Sequence, residues 1–120
     1  MDYAELLQQV QAAAALDRAT AERVLVATMV TLAERMSHHE LAQLRARLPD
    51  ELRAAVAAGS PTCQPFDADE FVGRVAERVG AQPRAAWTQV RAVLGTLDRH
   101  LAEMQALRQR LPRDFGALMA

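Results

Sequence analysis

The stretch DADEFVGRVAERVG, Asp67 to Gly80, spells out a helix from start to stop. Phe71, Val72, Val75 and Val79 recur at intervals that place them on one face of a 3.6-residue turn. Asp67 stands where an N-cap belongs. Its carboxylate can accept a first-turn amide, and Glu70, three residues on, can reach back to the Asp67 amide. Phe66 before the cap and Phe71 after it have the spacing of a hydrophobic staple, and Gly80 suits the left-handed residue that ends a helix.

The same pattern opens the chain. An offset of 65 residues lays DYAEL at Asp2 over DADEF at Asp67, so that Glu5 meets Glu70, Leu6 meets Phe71 and Val10 meets Val75. Further along the same offset, Leu25 meets Val90, Met29 meets Leu94, Thr31 meets Thr96 and Leu32 meets Leu97. After a two-residue gap, LRARLPDEL from Leu44 lies over LRQRLPRDF from Leu107. Self-similarity of this kind points to duplication. The expected fold is all-α: a single domain over 1–120, a compact helical bundle of two similar four-helix units. Unit one is 2–58, the loop is 59–66 and unit two is 67–120.

Within each unit the periodicity predicts a first helix from Tyr3 to Ala15, with Asp2 and Glu5 as its capping box and Met1 and Leu6 as its staple. A long second helix begins near Arg18 or Pro83. Its core stripe is Leu25, Met29, Leu32, Met36 in one copy and Trp87, Val90, Leu94, Leu97, Leu101 in the other. A short third helix, His38 to Arg47, starts from a Ser37–Glu40 box between Met36 and Leu41, and buries Leu41, Leu44 and Leu48. Proline at Pro49 or Pro112 opens a fourth, carrying Leu52 and Val56 or Phe115 and Leu118. GSPTCQP, Gly59 to Pro65, reads as the turn-rich connection.

The two long helices differ on one flank. Val26, Val30 and Ala33 lie beside the Leu25 stripe, Val24, Thr28 and Thr31 cover its other side, and Arg23 with Glu34 leaves a narrow polar strip. A helix apolar nearly all round is buried on several sides. Either the Val26, Val30, Ala33 flank packs the units together or it binds a second chain, and these three are the candidate interface residues. The matching residues of the second copy are Arg91, Gly95 and Asp98. Gly95, about 1 kcal/mol worse than alanine inside a helix, marks a close backbone approach.

Bulk composition excludes several classes. All 14 basic side chains are arginine against 15 acids, for a net charge of −1. With those charges interleaved there is no broad field to gather nucleic acid or an anionic membrane. The longest apolar run, VLVATMVTLA from Val24, is half the roughly 20 residues a membrane span requires. The acidic start MDYAEL has none of the pattern of a secretory leader, and the lone Cys63 forms no internal disulfide, which together point to the cytoplasm.

Chemistry-bearing motifs are scarce. His38 and His39 are adjacent, so they diverge by about 100° around a helix, and HELAQ has Gln43 where a zinc helix carries its second histidine. Nothing near Cys63 in sequence would lower its pKa. Asp67, Asp69 and Glu70 cluster where a helix start favours acids anyway. Arg74 and Arg78 share a face, and RMSH from Arg35 could turn a helix–turn–helix, yet the second helix offers only Arg45 and Arg47 to phosphates, both at its far end.

EFVGRVAERVG (Glu70 to Gly80), TLAERMSHHE (Thr31 to Glu40) and LPDELR (Leu48 to Arg53) resemble domain-of-unknown-function family twenty-two sixty-seven. That resemblance implies a compact helical fold of two similar halves in a bacterial cytoplasm, and implies no activity. TLDRHLAEM from Thr96 departs from the pattern, lacking the Ser-His turn. The expectation is a non-enzymatic module that binds another protein or itself, with no catalytic residue, metal, cofactor or small-molecule substrate. The alternative is a nucleic-acid-binding regulator.

Overall fold

A computed structural model describes residues 2–57, 64–101, 104, 109 and 115–119. Among these residues there are seven helices and no strand. They are α1 (Tyr3–Ala14), α2 (Arg18–Glu34), α3 (His38–Arg45), α4 (Asp50–Ala57), α5 (Ala68–Val79), α6 (Pro83–His100) and α7 (Gly116–Met119). Of the expected third helix of unit two only Met104 and Gln109 are described, both helical, and Pro112, the Met1 end of the first staple, and Cys63 with most of its loop lie outside the described residues.

Short turns make α1–α2 and α5–α6 antiparallel hairpins. The four helices close a ring in which α1 packs on α2, α2 on α5, α5 on α6 and α6 on α1, with α2 and α6 also touching across the middle. Helix α4 covers α2, and α7 covers α6. Each long helix therefore rests on the first helix of the other half as well as on its own. The reason is the width of the apolar faces on α1 and α5: Phe71, Val72, Val75, Ala76 and Val79 are all buried, more than one neighbour can cover. The Cα radius of gyration is 12.8 Å, close to the ~13–14 Å expected of a packed domain this long.

The helix starts are built in three different ways. At Ser37 the full box forms: its amide donates to Glu40 Oε1 at 2.9 Å and its hydroxyl accepts the Glu40 amide at 3.2 Å. At Asp67 one half forms, with the Glu70 amide donating to Oδ1 at 2.9 Å, while the Glu70 carboxylate is drawn away to Arg74 Nε at 2.8 Å. At Asp2 no side-chain cap bond is made. A cap not expected from sequence stands at Asp17, which accepts the Thr20 amide at 2.8 Å. Phe66 and Phe71 do meet, with ring centroids 6.1 Å apart, and Phe71 meets the edge of Phe115 at 5.6 Å.

Helix ends follow the same logic. Gly80 ends α5 at φ 71°, and α1 ends at Ala15, φ 53°, a left-handed conformation in a residue with a Cβ. Helix α3 stops two residues before the expected Arg47, because Arg47 and Leu48 donate to the carbonyls three residues back and tighten the turn. Trp87, expected in the α6 stripe, is half-buried, and Ala86 and Val93 are buried on α6 in addition to the stripe's Val90, Leu94 and Leu97.

Candidate functional site

The polar strip of α2 faces α5. Glu34, with a side chain 16% exposed, receives Arg78 Nη1 at 2.7 Å and Arg74 Nη1 at 3.5 Å. The same Arg78 nitrogen donates to Thr31 Oγ1 at 2.6 Å, and Thr31 in turn donates to the Ala27 carbonyl at 2.7 Å. Arg74 also reaches Gln64 Oε1 at 2.9 Å and lies over the Phe66 ring, 4.1 Å from its centroid. Buried Arg35 is stacked between Phe66 and Phe115, at 5.5 and 5.4 Å. The guanidinium of Arg23 donates to the Val79 carbonyl at the end of α5. The two arginines of Glu34 hold its carboxyl below the usual carboxylate range, with the Arg78 hydrogen bond the largest cause. Arg74 and Arg78, read from sequence as a basic face, are thus engaged by carboxylates of this chain.

Beyond this network the α2–α5 boundary opens into a groove of about 610 Å³ lined mainly by apolar atoms, with Ala19, Val26, Ala27 and Val30 on it. Of the three candidate interface residues, Val26 and Val30 line this groove and are half-buried, while Ala33 is fully buried. The opposite flank of α2, Val24, Thr28 and Thr31, is completely enclosed. The charged residues on the groove are Glu22, Arg23 and Arg78, and both arginines are already held internally. Tyr3 hydrogen-bonds Glu22; burial first, then that bond and the nearby carboxylates, push its phenol up to about 12.

A second, smaller groove lies between α6 and α1, lined by Ala13, Thr88, Arg91, Ala92, Gly95 and Arg99. With the 65-residue offset, Arg91 stands where α2 has Val26, Ala92 where it has Ala27, and Gly95 where it has Val30. Among the described residues the close approach expected at Gly95 is not made: a Cβ there would meet only Arg99 Nη1, at 3.8 Å.

His38 and His39 are exposed at the start of α3, and His100 shares a 2.9 Å hydrogen bond with Gln9 Oε1. Among the described residues no three His, Cys, Asp or Glu side chains are placed to hold one metal ion. Among them, too, no helix is long and apolar enough to cross a membrane. Arg45 is half-buried as the last residue of α3, and Arg47, expected to end that helix, is exposed in the turn beyond it. The Glu34 network was not foreseen; the i,i+4 spacing of Glu70 and Arg74 and the polar strip at Glu34 were its visible traces in the sequence.

A protein-family model runs over residues 3–118. The chain belongs to the DUF2267 family, described as an uncharacterized conserved protein. Comparison with curated proteins finds no match. The DUF2267 match spans both grooves and the Glu34 network, so all of these belong to the family domain.

Proposed function

We propose that this DUF2267 chain is a non-enzymatic protein-interaction module of the bacterial cytoplasm, and that its α2–α5 groove receives one apolar helix of a partner protein. The observation that carries the reading is the open groove: Val26 and Val30 remain half-buried on its floor while their neighbours Val24, Leu25, Ala27, Thr28 and Met29 are enclosed, and the two arginines beside them are held by Val79 and Glu34. Engaged charges leave burial of apolar surface as the driving force, at about 25 cal/mol per Å². From Ala19 to Val30 the lining covers roughly 16 Å of helix, enough for three turns of a docked partner.

The same reading takes the fold as a doubled unit in which one copy kept an apolar groove and the other became polar. Its support lies in paired features at the 65-residue offset. The left-handed caps are Ala15 and Gly80. Thr31 and Thr96 are both buried and both donate to the carbonyl four residues back. The two grooves themselves share the offset.

Val26→Arg tests the groove. It installs the residue that α6 carries at the matching position, so the fold is expected to survive with a melting curve near that of the wild type. Affinity capture from the native cytoplasm with mass spectrometry should then show proteins retained by the wild type and lost by the variant. Equal recovery on both baits sinks the proposal.

A further inference from the structure

Helices α5 and α6 carry matching charges that no described residue pairs with. On α5, Asp69, Gly73 and Glu77 are exposed and spaced four residues apart; on α6, Arg91, Gly95 and Arg99 have the same spacing, with both arginines exposed and the glycine half-buried. Each trio stays on one face of its helix, and its two charges stand about 12 Å apart along the axis. Among the described residues no carboxylate pairs with Arg91 or Arg99, and no cation pairs with Asp69 or Glu77; Arg99 makes one 3.2 Å hydrogen bond, to Thr96 Oγ1.

The central glycines are a separate observation. Glycine inside a helix is less stable than alanine, and is retained where a backbone must come close or φ is positive. Neither reason applies among the described residues. A Cβ on Gly73 would meet nothing within 4 Å, one on Gly95 only the Arg99 side chain, and neither residue has a positive φ.

We infer that a second copy of this chain docks here, α6 of each protomer crossing α5 of the other with Gly95 over Gly73, Arg91 and Arg99 facing Asp69 and Glu77. Because α5 and α6 are antiparallel neighbours, a two-fold axis running along them makes both crossings at once, giving a closed isologous dimer. Arg84 extends the basic stripe by two further turns, and Asp98 flanks it. This contact is independent of the α2–α5 groove and leaves it open.

Analytical ultracentrifugation across a concentration series tests the inference. In 50 mM salt the wild type should move from 13.2 kDa toward twice that mass, and tenfold more salt should weaken the association at least tenfold. Arg91→Glu with Arg99→Glu in one variant, and Asp69→Arg with Glu77→Arg in another, should each be monomeric. Mixed together they should pair one to one, since each then supplies the charge the other lacks. Should the second variant fail to melt cooperatively, Glu77→Arg alone takes its place. Gly73→Ala should give a more heat-stable monomer that dimerises less. Wild-type protein that stays monomeric, or folded charge variants that do not pair on mixing, overturns the inference. Retention of random duplex DNA by monomeric wild type, lost in the Arg91→Glu, Arg99→Glu variant, assigns the stripe to nucleic acid and overturns it too.

Discussion

Replacing Glu34 by glutamine keeps the shape of the side chain and removes its charge, which tests whether the α2–α5 contact is an electrostatic clasp. Glu34 receives Arg78 at 2.7 Å and Arg74 at 3.5 Å with its side chain 16% exposed, while the arginines are 35% and 22% exposed. A hydrogen bond to a charged group contributes about 1.5–3 kcal/mol, and a fully exposed pair between 0 and 1. Half-exposed arginines that can turn toward water put Glu34→Gln between these, at a loss of about 1–2 kcal/mol. For a domain of this length that lowers Tm by roughly 4–8 °C. The sign with pH follows from the lowered carboxyl pKa. A group whose folded pKa is depressed stabilises above its unfolded value and loses that contribution as pH falls through the folded one. The gap between wild type and variant should be full at neutral pH and close as the solution is acidified below the ordinary glutamate range. Urea melts followed by Trp87 fluorescence at several pH values measure it, and a double-mutant cycle with Arg78→Met isolates the pair. A gap under about 0.3 kcal/mol at pH 7, or one that does not shrink in acid, refutes the clasp.

The two left-handed caps should respond oppositely to exchange. Ala15→Gly relieves a Cβ held at φ 53° and should raise stability by about 0.5–1 kcal/mol, whereas Gly80→Ala at φ 71° should lower it by about 1 kcal/mol, both read from thermal melts. Tyr3 is the one tyrosine, so phenolate absorbance reports it alone: the folded protein should titrate near pH 12 and the urea-unfolded chain near 10. Since the folded state holds that proton longer, Tyr3 contributes stability below the unfolded value that is lost as pH rises toward 12; Tyr3→Phe should flatten this alkaline decline.

The sequence alone determined where α1 to α6 begin, because caps, staples and apolar spacing act over only a few residues. Ser37 with Glu40 is a case where the local rule decided everything. Asp67 with Glu70 shows the rule's limit, since a competing local partner, Arg74 one turn on, takes the Glu70 carboxylate and leaves the box half formed. Tertiary structure alone decided which charges pair. Arg78 and Thr31 are 47 residues apart, and no local spacing says that a basic face of α5 will close over the polar strip of α2. It also decided which flank of α2 is enclosed: Val24 and Val26 look equally apolar in the sequence, yet α2 turns one inward and leaves the other on the groove. Periodicity defines a helix's faces relative to each other, whereas the direction each face points is a property of the neighbours packed around it.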